Sequence, residues 1–170
     1  MAFATIVYPD SLSNPSFSYR IQSIRNFEET FHSMDSASRQ DCLRQLKQWS
    51  MDSKESSLKL FFMWSRLKLL FFDDKHNPTI PIELNELIQE ARLCKEDYVL
   101  TEARQLLGYY YWEHKEFSQA IEQFAQAYSL YSEFKLDEFP NKGEYTFDYG
   151  SKHQYFGDYQ TSEERRVGKE

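Results

Sequence analysis

The chain has 170 residues, enough for one compact domain or a short run of stacked helix pairs and too few for two independent cores. Hydrophobic residues make up 41%, dominated by 12 Tyr and 14 Phe, and with only 5 Gly and 5 Pro the balance favours helices over short strands joined by turns. A formal charge of −7 argues against non-specific binding to nucleic acid, which needs clustered Lys and Arg, and the longest strongly apolar run, 67–72, falls far short of the roughly 20 residues that cross a bilayer.

In chain order, residues 1–18 read as an extended leader, with Pro9 and Pro15 among Ser and Asn. Ala2-Phe3-Ala4 has the small-x-small form that signal peptidase cuts after, but the charged and apolar regions that precede such a site are missing. A truncated signal peptide and an ordinary start holding two alanines both fit. From 21 to 34 the set Ile21, Ile24, Phe27, Phe31 and Met34 recurs every three or four residues and predicts an amphipathic helix.

Asp35 or Ser36 caps a second helix, with Cys42, Leu43, Leu46 and Trp49 on its apolar face and Arg39, Arg44, Lys47 and Gln48 on its wet one. A third opens at Ser53-x-x-Ser56. Its apolar arc of Leu58, Phe61, Phe62, Trp64, Leu67, Leu69, Leu70 and Phe72 is so wide that the helix must be covered on more than one side. Residues 73–78 end it with turn formers and a proline, and Pro81 suits the first turn of a fourth helix carrying Leu84, Leu87, Ile88, Ala91 and Leu93.

Two further helices, 98–112 and 117–134, are separated by a short polar stretch that makes them antiparallel neighbours. A last helix covers 145–156, with Gly157-Asp158-Tyr159 as its turn. Residues 162–170 resemble the translation of a common sequencing adapter and read as a non-native tail, so that the natural chain would continue past about residue 161; the other reading is a natural charged segment. Cys42 and Cys94, in no CxxC pairing, read as two buried free thiols rather than a disulfide.

Leu107, Gly108, Tyr111, Ala120, Phe124 and Ala127 have a spacing that resembles the tetratricopeptide signature, a repeat of about 34 residues made of two antiparallel helices. The small residues Gly108 and Ala120 let the two helices approach, Leu107, Tyr111 and Phe124 fill the seam, and Ala127 meets the next unit. The departures are Arg104 in place of Trp, Lys115 in a turn that often has Gly, and Ser132 in place of Pro. The clearest repeat spans 101–134, and Tyr149-Gly150 echoes Leu107-Gly108 in a partial repeat from 143.

The resemblance implies an all-α fold over 19–161: about three antiparallel helical hairpins and the first helix of a fourth, stacked as a right-handed tetratricopeptide-like solenoid. First helices of each pair line its concave face, and the function it implies is non-catalytic recognition of a protein or peptide, with no cofactor. Residues 106–112 and 147–152 further resemble the sensory front portion of bacterial repeat-containing histidine kinases and regulators. That implies an extracytoplasmic, periplasmic array preceding a membrane helix and an output domain. A cytoplasmic scaffold or adaptor is the other reading.

Candidate groove residues are Arg104, Gln105, Tyr109, Trp112 and Lys152, placed on first helices and off the packing positions. Gly150 joins the residues of the clear repeat as a packing position. In the run 109–112, helical spacing assigns Tyr111 to the core and leaves Tyr109 or Trp112 for a groove or cation cage. Gln105 and Tyr109 stand where a chaperone-tail carboxylate clamp wants Lys and Asn, which disfavours that partner. His32, His76, His114 and His153 are spread over separate helices and loops with no metal-site spacing, Asp73-Asp74 reads as a solvated helix end, and no phosphate loop, nucleophile elbow or kinase motif points to an enzyme.

Overall fold

The computed structural model describes residues 17–136, 138, 139 and 141–167, and within these the side chains of 17, 18, 20, 24, 25, 27, 28 and 161–167 are left undescribed. The leader up to residue 16 and the last three residues of the tail therefore lie outside the described residues, as do the side chains of Ile24 and Phe27. Seven helices and no strand are found among the described residues. They are α1 (Phe17–Ser33), α2 (Ser36–Asp52), α3 (Ser56–Asp73), α4 (Ile80–Cys94), α5 (Asp97–Glu113), α6 (Phe117–Tyr131) and α7 (Lys142–Val167).

Apolar periodicity places these helices, and local chemistry ends them. The Asp35 side chain accepts from the Ser38 amide at 2.8 Å, capping α2 and holding its own carboxyl below the usual range. Pro81 sits in the first turn of α4, where a missing amide donor leaves nothing unpaired. Two hairpin turns are closed by lysines in the left-handed region, Lys95 at φ 58° and Lys115 at φ 62°. Lys115 thus adopts the backbone that a glycine would take more easily.

Each helix from α2 onward packs on its neighbours in sequence, α3 also packs on α5, and α1 reaches α3. Leu60, Phe61, Phe62, Trp64, Leu67 and Leu69 are all buried, so α3 is covered on several sides, as its wide apolar arc requires. Its Arg66 pairs with Glu83 of α4, and Arg39 of α2 bonds both Asp73 of α3 and the His32 carbonyl of α1. Arg39, expected on a wet face, is a tie between three helices.

A small residue sits in the seam of α5 and α6. Leu107, Ala120, Phe124 and Ala127 are fully buried there, and a Cβ placed on Gly108 would lie 2.5 Å from the Phe124 ring. The small residue is required because the ring occupies the space a side chain would fill. Tyr111 is half-buried against the core, whereas its neighbour Tyr110 is the buried member of the aromatic run.

Two expected helix ends and two expected buried positions need correction. The α6 helix stops at Tyr131 rather than 134: residues 132–134 form a turn in which Phe134 folds back beside Phe139. No turn interrupts 157–159, and α7 continues to Val167. Tyr155 and Tyr159, one turn apart, both pack edge-on against Phe117 of α6 at 5.8 and 5.4 Å, and these contacts hold the helix through Gly157. Phe72 and Leu93, expected on buried faces, are 51% and 83% exposed.

Cys94 is exposed, and only Cys42 is buried; both are free thiols. Burial, with Asp41 adding to it, pushes the Cys42 thiol up to about 12. A disulfide-forming aromatic reagent should therefore titrate one thiol promptly in the folded protein and the second only on unfolding. Prompt reaction of both thiols would contradict the packing of α2.

Candidate functional site: an aromatic and acidic groove

Faces of α1, α3, α5 and α7 together enclose a groove of about 620 Å³. On α5 its lining runs Tyr98, Glu102, Leu106, Tyr109 and Glu113, residues three or four apart that form one stripe. Trp64, Lys68, Phe71 and Phe72 repeat the pattern on α3, and Asn141, Glu144 and Tyr145 close the far side.

The floor is built from stacked rings. Tyr98 meets the Trp64 ring edge-on at 5.8 Å, lies parallel to Phe61 at 6.0 Å and leans on Phe139 at 5.2 Å. Between them Glu102, only 2% exposed, accepts a hydrogen bond from the Tyr145 hydroxyl at 2.9 Å and a longer one from the Asn141 amide at 3.4 Å. Burial, then the nearby Glu102 charge, raises the Tyr145 hydroxyl well above its ordinary value, so it remains a donor.

At the rim Glu113 pairs with Lys75, Lys68 places its ammonium over the Trp64 ring at 5.3 Å, and Glu144 is exposed.

Of the five groove residues read from sequence, Tyr109 lines this groove. Its hydroxyl donates to Asp148, and burial followed by that hydrogen bond pushes its ionisation upward. The structure brings Trp112 and Lys152 to the same place in another role. The Lys152 ammonium lies over the rings of Tyr109, Trp112 and Phe124 at 5.1, 5.8 and 5.6 Å while pairing with Asp148 at 3.2 Å. The aromatic run does hold a cation, and the cation is the chain's own.

Arg104 and Gln105 do not lie off the packing positions. Both are buried, and Arg104 donates to Gln123 of α6 at 2.9 Å. Gly150 meets nothing within 4 Å, so its face of α7 is bare.

Sequence reasoning passed over Trp64, Tyr98, Glu102, Glu113, Glu144 and Tyr145, although the α5 stripe was available to a periodicity search. It also separated His76 from His114. Their rings meet, with Nδ1 of one 3.3 Å from Nε2 of the other, and His114 stacks on Tyr110 at 4.2 Å. Together with Lys75 and Glu113 they tie the α3–α4 turn to the end of α5. No group of three or more His, Cys, Asp or Glu side chains among the described residues could hold a metal ion.

Comparison with protein-family models, curated proteins and solved structures finds no match to this chain. No helix among the described residues is long and apolar enough to cross a membrane.

Proposed function

We propose that this chain is a non-catalytic helical-repeat module of the tetratricopeptide kind, a right-handed stack of hairpins whose groove binds an extended segment of a partner protein. One observation carries the reading: α1, α3, α5 and α7, alternate helices of the chain, jointly line a single groove. The intervening α2, α4 and α6 supply none of its lining. The close fit of Gly108 against Phe124, at the positions where the repeat signature wants a small residue and a large one, supports the same reading.

Placement as the extracytoplasmic sensory part of a truncated bacterial signalling protein rests on the resemblance of 106–112 and 147–152 alone. A cytosolic scaffold is favoured by a specific feature, the exposed free thiol of Cys94, which suits a reducing compartment. Reading the gene beyond both ends separates the two: a signal peptide and a membrane helix support the sensor, and their absence supports the scaffold.

Groove binding is tested by selecting displayed random nonapeptides on the immobilised chain and titrating the winners against the parent and Phe72→Arg. Phe72 lines the groove and is half-exposed, so a cation there blocks the site without entering the core. Selected peptides should lose about tenfold or more in affinity. Equal binding to both proteins, or no selected peptide, would sink the proposal.

A further inference from the structure

We infer that the groove has a resident occupant, residues 3–8 of this chain's own leader, which a partner segment must displace; this rests on the groove-binding reading above. Ile21 of α1 lines the groove, and Phe17, where the described chain begins, lies four residues before it, about 6 Å along the helix. The leader therefore starts at the groove's edge.

The leader's sequence divides in two. Phe3-Ala4-Thr5-Ile6-Val7-Tyr8 is uncharged and apolar apart from Thr5; Thr, Ile, Val and Tyr favour extended backbone, and Pro9 biases Tyr8 the same way. Residues 9–16, with two prolines and three serines, form a spacer that spans at most about 28 Å, or about 16 Å as a flexible chain. Since α1 packs on α3 and α3 on α5, at helix spacings of about 9 Å, the spacer reaches the face between α3 and α5. Cleavage after Ala4 would still leave residues 5–8 attached.

That face offers ring surface. Phe72 is exposed and Phe71 and Tyr109 are half-buried in the lining, and an apolar extended stretch laid there takes them out of water. An uncharged occupant strands no carboxylate, because Glu102 is already bonded by Tyr145 and Asn141, Glu113 is paired with Lys75, and Glu144 is exposed. A tether this short gives an effective concentration of about 1 mM. A leader that binds at about 100 µM as a free peptide then fills most of the grooves and weakens a competitor about tenfold.

In the full chain a photoreactive benzoylphenylalanine replaces Val7, and irradiation should join it to the peptides that hold Phe72 or Tyr109, within single copies of the chain. A labelled peptide of residues 1–10 is then titrated by fluorescence anisotropy against the parent, against Ile6→Asp/Tyr8→Asp, and against that pair combined with Phe72→Arg. It should bind the leader pair about tenfold more tightly than the parent, and Phe72→Arg should remove that binding.

Crosslinks that land outside the groove, or only between copies, overturn the inference, as does equal peptide binding to the parent and the leader pair. If peptides selected by display still bind the parent and lose affinity with Phe72→Arg, the leader is then wrong and the groove reading stands. Crosslinks into the groove without any selected peptide would make the leader a permanent fill, and the partner reading and its regulation fall together.

Discussion

Replacing Gly108 by Val should destabilise the protein by about 3 kcal/mol, at the upper end of what overpacking a core costs. A Cβ at this position would lie 2.5 Å from one Phe124 ring atom and 2.6 Å from another, and Phe124 is itself fully buried, so the ring has nowhere to swing. Helix propensity acts in the opposite direction, because a mid-helix glycine is about 1 kcal/mol worse than alanine. That makes Gly150→Ala an internal control. Gly150 occupies the echoed place in α7, with nothing within 4 Å of an added Cβ, and its substitution should stabilise by up to about 1 kcal/mol.

Urea midpoints of Gly108→Val, Gly150→Ala and Gly108→Val/Phe124→Leu decide the matter, the last recovering part of the loss by shortening the ring. Opposite signs at the two glycines are the expected pattern. A Gly108→Val midpoint equal to the parent's would mean that the α5–α6 seam is looser than described.

The contrast between these glycines shows how far local sequence carries. Spacing identified Gly108, because a small residue followed at fixed distance by Phe124 has one physical use, the close approach of two helices. Identical reasoning proposed Gly150 by echo, but nothing packs there, since a pattern specifies which face can be approached and not whether anything approaches it. Helix positions were legible for a related reason: apolar period and breakers are local properties, and Asp35, Pro81 and the 114–116 turn acted as expected. The end of α7 was misread because a Gly-Asp pair normally reads as a turn, whereas two tyrosines on Phe117 decide it here, and that is a contact between elements.

The site was less legible than the fold. On α5 the face holding Thr101, Gln105, Gly108 and Trp112 and the face holding Tyr98, Glu102, Leu106, Tyr109 and Glu113 are a fraction of a turn apart. Only Gly108 marks which of them meets α6. Choosing polar residues as groove residues selected Arg104 and Gln105, both buried. Polarity misleads at such positions because a buried Arg can be held by a half-buried amide, as Arg104 is by Gln123. Glu102 was passed over for the same reason: its partners Asn141 and Tyr145 lie about forty residues downstream, a separation that no local window reaches.

High pH should unfold the protein steeply, and the buried hydroxyls give the sign. Burial raises the ionisation of Tyr145 well above its ordinary value, pushes that of Tyr131 up to about 12, and raises that of Tyr109. Each group is neutral in the fold and titrates near pH 10 once the chain is unfolded. A raised folded value means that the stability from these groups is fully present below about pH 10 and is lost as pH rises toward the folded values. Tyr131 and Tyr145, both in that window, should together make the unfolding constant grow about 100-fold per pH unit, with Tyr109 and the Cys42 thiol adding to the slope.

Cys42, raised to about 12, begins the decline earlier, near pH 8.5 to 9, where an unfolded thiol ionises. Urea midpoints between pH 7 and 11.5, followed by helical ellipticity and tyrosinate absorbance together, should be level at first and then collapse with both signals coincident. Tyrosinate absorbance rising in full while ellipticity persists would show these rings to be open to solvent and sink the prediction. Tyr145→Phe assigns one proton of the slope. At neutral pH it should cost about 2 kcal/mol, because Glu102 loses its shorter hydrogen bond in a buried place. Above pH 10 the same variant should lose stability more slowly than the parent, since one raised hydroxyl is gone. The two curves should therefore converge with rising pH, a pattern that loss of packing alone does not produce.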